Sequence, residues 1–164
     1  MVSAVFAIAV WWWAFGSALD RLAERGESEL SLASDRLVGQ LQKFRQLAVV
    51  MSDHPGLYAL LLAENDQFFD EANHLLLRTA DKTGSYEIFV AAATGLKIAS
   101  SRAFERAENI SDRAYFQRAM YGALGTAQAH LGEGIGRAFY FAAPIKRPGQ
   151  VPIGAIVVKV DIEA

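Results

Sequence analysis

Ser111-Asp112-Arg113-Ala114-Tyr115-Phe116-Gln117-Arg118-Ala119-Met120 reads as a short amphipathic helix, with Ser111 as its N-cap and an arginine in its first turn. Further on, Ile156-Val157-Val158-Lys159-Val160-Asp161 reads as an apolar strand with one lysine near its end. Strand alternation puts Ile156, Val158 and Val160 on one face and Val157, Lys159 and Asp161 on the other. Between helix and strand lie glycine-punctuated β segments, among them Phe139-Tyr140-Phe141-Ala142-Ala143-Pro144-Ile145. A helix N-terminus beside an arginine favours an anion. A second cation arriving on a strand is placed to hold the other end of a short dianion. The rest of the chain reads as the means of building that pocket and tying it to a membrane.

The 164 residues make one domain, with enough chain for a core. A formal net charge of -2 argues against general nucleic-acid binding, which relies on a large positive field. Recognition of an anion must therefore be local. The chain has no cysteine, which excludes disulfides and thiol chemistry but fixes no compartment.

Working outward toward the start, residues 2–19 are almost wholly apolar. As a helix they reach about 27 Å, close to a hydrocarbon core of roughly 30 Å. Membrane insertion is the reading taken, with residues 1–19 as the transmembrane helix and 20–164 as an extracytoplasmic module. The alternative is a cleaved signal, with Ala14-Phe15-Gly16 as a small-x-small site. No Lys or Arg precedes the run, whereas Arg21 and Arg25 follow it. A basic cytoplasmic start upstream of Met1 is therefore expected. Residues 20–52 read as one long amphipathic helix, with Leu30, Ala33, Leu37, Leu41, Phe44, Ala48 and Met51 at three- and four-residue steps. Such a helix serves as a stalk, as a spine for a sheet, and as a seam for a homodimer.

Asp53-His54-Pro55-Gly56 ends the long helix, with Asp53 or His54 capping the next one over 57–63. A further helix spans 68–82, with Phe69, Ala72, Leu76 and Ala80 inward and Thr83-Gly84 as its C-cap. Strands then follow over 86–92, 96–100, 126–131, 137–143 and 153–160. Residues 104–110 read as a surface loop, and Gly132, Gly134 and Gly136 mark a turn. The expected fold is α+β: a five-stranded antiparallel sheet backed on one face by the long N-terminal helix and open on the other as a pocket.

The order of these elements, together with Tyr86-Glu87-Ile88-Phe89-Val90, Asp112-Arg113-Ala114-Tyr115-Phe116, Phe139 to Ile145 and Val157-Val158-Lys159-Val160-Asp161, resembles the Cache (PDC, PAS-like) extracytoplasmic sensor domain. The resemblance is to the DctB-type sensor histidine kinases of two-component systems in particular. It covers the first helix and the membrane-distal module, and not the kinase. It implies a sensor in the periplasm, anchored in the bacterial inner membrane, that binds a small organic anion such as a C4-dicarboxylate. It also implies that Arg113 and Lys159 hold ligand carboxylates and that aromatics near Tyr140 line the pocket. Two positions depart from the pattern. Ile110 stands where relatives carry a tyrosine, and Leu131-Gly132-Glu133-Gly134-Ile135-Gly136 stands where they carry a Thr/Ser-rich loop. Both changes remove hydroxyl donors.

Each site residue also has a plainer reading. Arg113 is able to pair on the surface with Asp112, Glu105 or Glu108, at little energetic gain. Lys159 is able to lie on a solvated strand face, and Arg137 to face solvent. Tyr115 and Tyr140 are core aromatics first, with hydroxyls available second. His54, His74 and His130 stand apart, without an acidic cluster at metal-ligand spacing. No Gly-x-Ser-x-Gly turn occurs, and the glycines at 132, 134 and 136 lack the Lys-Ser/Thr of a phosphate loop. The expectation is a non-catalytic ligand-binding module needing no cofactor or metal. The alternatives are the sensor of a chemoreceptor or diguanylate cyclase, and a ligand-free membrane-tethered interaction module.

Overall fold

The computed structural model describes residues 38–62, 66–102, 108–131 and 135–162. The expected membrane helix, the first part of the stalk, most of the 104–110 loop and Glu133 lie outside the described residues. Among the described residues no helix is long and apolar enough to cross a membrane. The chain divides after Leu41 into two units, and the sheet belongs wholly to the second.

Helix α1 covers 38–52. Phe44, Ala48 and Met51 are buried at the expected spacing, while Val49 and Val50 face outward. Helix α2 is Pro55–Leu62, with Leu57 and Leu60 buried. His54 rather than Asp53 starts it, since the Gly56 amide donates to His54 Nδ1 at 3.1 Å. Helix α3 is Asp66–Thr83, and it buries Ala72, Leu76 and Ala80. Gly84 ends it with φ of 71°, its amide donating to the Ala80 carbonyl at 2.9 Å, as the sequence predicts.

The five strands are β1 (Glu87–Ala92), β2 (Lys97–Ser100), β3 (Gly125–Leu131), β4 (Ile135–Ile145) and β5 (Gly154–Ile162). Their order is β2-β1-β5-β4-β3, and every neighbouring pair is antiparallel. The last strand in sequence thus sits at the centre. Ala155, Ile156, Val157 and Val158 are fully buried, as a central strand covered on both faces requires. Ile88 pairs with Val158 and Val90 with Ile156 on one face, while Phe89 pairs with Val157 on the other. The alternation read in 156–161 therefore holds. The backing is shared: α3 packs on β1 and β2.

Helix α4 is Ala114–Met120, shorter than expected, and its N-cap is Arg113 with no side-chain cap hydrogen bond. Ser111 is not the cap, and Arg113 lies before the first turn rather than in it. The reason is local competition. Asn109 Oδ1 takes the Ser111 amide at 2.8 Å, and the Arg113 amide closes a turn onto the Ile110 carbonyl at 3.0 Å. Gly95, in the hairpin turn with φ of 84°, anchors this lead-in: the Ile110 amide donates to its carbonyl at 2.9 Å.

Candidate functional site

Sheet register builds the site. Ala127 pairs with Tyr140, Tyr140 with Lys159, and Lys159 with Glu87, so one row of side chains crosses four strands on a single face. Helix α4 covers the next row. Tyr115, Phe116 and Ala119 are buried against Phe89, Ala91, Ala142, Ala155 and Val157. Gly125 permits this close approach, because a Cβ there would lie 1.9 Å from the Tyr115 carbonyl oxygen.

Tyr115 meets Tyr140 at the boundary of helix and sheet. The rings are stacked, with centroids 5.1 Å apart and planes 10° from parallel. Burial lifts the Tyr115 phenol well above its ordinary range, Tyr140 adds to the effect, and Arg113 opposes it. The Lys159 amine lies 5.7 Å from the Tyr140 ring centroid and 4.7 Å from that of Tyr86. Arg102 approaches the same Tyr86 ring at 4.2 Å. Cations and aromatic rings thus alternate from Arg102 through Tyr86 to Lys159, then to Tyr140 and Tyr115.

Of the sequence-predicted site residues, Lys159, Tyr140 and Tyr115 come together directly. Arg113 stands on the rim, two positions before Tyr115 in the chain. Its side chain is 63% exposed, with Nε 3.7 Å from Asp112. The surface pairing considered above is thus present, but it is long and exposed and contributes little. Arg137 faces solvent, as its plainer reading has it.

A buried ionic cluster beside the row escaped the sequence reading. Lys97 is 4% exposed. Its amine donates to Glu87 Oε1 at 2.5 Å and to Glu108 Oε2 at 3.0 Å, and it lies 4.4 Å from the Phe89 ring centroid. Ser100 Oγ donates to the same Glu87 oxygen at 2.8 Å. Tyr86 was also missed as a neighbour of Lys159. The available signal was its place next to Glu87, whose strand borders β5. Asp161 Oδ1 is buried on the Lys159 side of β5 with no hydrogen-bond partner among the described residues.

His54 and His74 share an open groove of about 720 Å³ between α2 and α3 with Phe68, Glu71 and Arg78. Among the described residues no group of three or more side chains is set to hold a metal ion.

No family model matches the chain. The C4-dicarboxylate transport sensor protein DctB of Pseudomonas aeruginosa is 30% identical over 149 residues, a match that covers 88% of this chain and 24% of that protein. The chain therefore spans about a quarter of its curated relative's length. The sensor domain of the V. cholerae histidine kinase DctB superposes with a TM-score of 0.76 at 28% identity, over 87% of this chain and 57% of that one. The E. coli DcuS sensor domain shares the fold, with a TM-score of 0.60 at 15% identity over 74% of this chain and 88% of that one. The sheet order, α4 against β3 to β5, and these likenesses in sequence and structure show the chain to be similar to DctB-type sensor domains, with the same Cache, PAS-like fold.

Proposed function

We propose that this sensor domain binds a small organic anion, of which a C4-dicarboxylate is the leading case, and that Lys159, Arg113, Tyr140 and Tyr115 form the site. The observation that carries this reading is the state of Lys159. Its amine is half-buried between two aromatic rings and has no carboxylate partner among the described residues. A cation held by rings alone retains charge for an incoming carboxylate, while the rings exclude water around it. Arg113 offers a bidentate fork from the rim to a second carboxylate. The stacked tyrosines form a wall between the two cations.

The whole protein in this proposal is a membrane-bound sensor histidine kinase, with this domain in the periplasm and residues 1–19 as its first membrane helix. The relative's name, a C4-dicarboxylate transport sensor, supports that output and ligand class. Titration calorimetry of the full chain in detergent with succinate tests the site. Binding is expected, and Arg113→Ala and Lys159→Ala should each weaken it about 10- to 100-fold, the loss of a hydrogen bond to a charged group. Succinate bound with undiminished affinity by both variants would place the site elsewhere.

A further inference from the structure

Glu87 and Lys159 are direct register partners on β1 and β5, yet they form no ion pair. Opposite residues on antiparallel strands have Cβ atoms about 4.5–5.5 Å apart, well within reach of a Glu–Lys contact. Glu87 is occupied instead from the other side. Its Oε1 accepts from the Lys97 amine at 2.5 Å and from Ser100 Oγ at 2.8 Å, in surroundings that leave its side chain 12% exposed. Lys97 is further held by Glu108 at 3.0 Å, and its side chain is 3% exposed.

We propose that Lys97 and Ser100 are positioning residues that keep the charge of Lys159 available to an anion by occupying Glu87. The proposal deepens the anion-binding reading above and rests on it for the use made of Lys159. The physical argument concerns competition for one carboxylate. A buried glutamate must find a cation or hydrogen-bond donors, because an unpaired charge is costly away from water. Two cations border Glu87, Lys97 from β2 and Lys159 from β5. If Lys159 took the carboxylate, the pair would be neutral and an incoming carboxylate would meet no net charge. Lys97 is committed more deeply, being buried, in contact with two glutamates and over the Phe89 ring. Lys159 is left to Tyr86 and Tyr140, which attract a cation without neutralising it. The β-bulge between Val90 and Ala91 shifts the register of β2 by one residue, so that Lys97 pairs with Ala91, on the face that Phe89 and Glu87 share.

The test reads Lys159 directly. The full chain in detergent is labelled with limiting acetic anhydride, and the acylation rate of each lysine is followed by mass spectrometry. In Lys97→Met, Glu87 should turn to Lys159 and slow its acylation about two- to fivefold, the range of a modest ion pair. Adding Glu87→Gln to that variant should restore the original rate. Ser100→Ala, a milder change, should slow Lys159 less, and Glu87→Gln should again relieve the effect. It carries the test if Lys97→Met does not fold. Unchanged Lys159 reactivity in folded Lys97→Met, or slowing that Glu87→Gln does not reverse, would overturn the proposal. Succinate affinity should fall and recover in parallel with reactivity. If reactivity responds as expected but Lys159→Ala leaves succinate binding intact, the charge competition stands and the anion site assigned to Lys159 fails.

Discussion

The carbonyl oxygen of Tyr115 and the α-carbon of Gly125 are so close that a methyl group on Gly125 would lie 1.9 Å from that oxygen. Helix and edge strand meet there backbone to backbone, which fixes the height of Tyr115 above the sheet. Gly125→Ala must push α4 outward and should cost about 1–3 kcal/mol, as overpacking does. Gly39 supplies the contrast, since a Cβ there meets nothing within 4 Å. Gly39→Ala, inside α1, should stabilise by about 0.4–1 kcal/mol. Urea unfolding of both variants checks the opposite signs.

The Tyr115–Tyr140 stack and the Lys159 contact both use the ring of Tyr140 rather than its hydroxyl. Tyr140→Phe should therefore keep stability within about 0.5 kcal/mol of the parent, whereas Tyr140→Ala should lose about 1–3 kcal/mol from stacking and cation–π contact together. The same urea experiment distinguishes them. Equal losses in the two variants would assign the energy to the hydroxyl.

Tyr115 gives a pH dependence of definite sign. Burial holds its phenol protonated in the folded chain to higher pH than in the unfolded chain. Its contribution to stability is complete below the unfolded pKa of about 10, and is lost as pH rises beyond that toward the folded value. Melting temperature should fall above about pH 10, by up to about 1.4 kcal/mol of stability per pH unit from this one group. Tyr115→Phe should show a shallower alkaline fall in scanning calorimetry.

Helix α1 leaves Val49 and Val50 outward, at 45% and 70% exposure, while Ala48 between Phe44 and Met51 is fully buried. If the chain dimerises along this helix, a cysteine at Val50 should cross-link and one at Ala48 should not. The chain has no native cysteine to confuse the result. Equal cross-linking at both positions would reject an ordered helix seam.

The fold was legible wherever one short-range rule decided it. Alternation along 156–161 predicts the faces on which Val157 and Val158 are found, because β5 is central and a one-residue slip would invert its whole pattern. Gly84 was legible as a C-cap for the same local reason. The start of α4 was less so. Ser111 has the chemistry of an N-cap, but Asn109, two residues earlier, claims its amide and turns the chain first. Lys97 was not legible at all. Beside Leu96 and Ile98 it looks like the solvated residue of a strand. Its burial depends on Glu87 and Glu108, carried by different segments and aligned by a bulge that no local pattern announces. The candidate site divides similarly. Lys159 and the tyrosines could be picked by type and place, but which cation holds Glu87 is a property of three strands together.

The order β2-β1-β5-β4-β3 also governs when the sheet can assemble. Before residues 154–162 are available, β1 and β2 can form only one hairpin and β3 and β4 only another. The strand that joins the hairpins, and the lysine it carries, comes last. Closing the pairing of Glu87 with Lys159 spans most of the domain, so its loop-closure entropy falls late and in one step. Folding should therefore be slow relative to a helical protein of this length. A nascent chain lacking β5 would expose the inner edges of both hairpins, making that interval the one most open to aggregation and to chaperone capture.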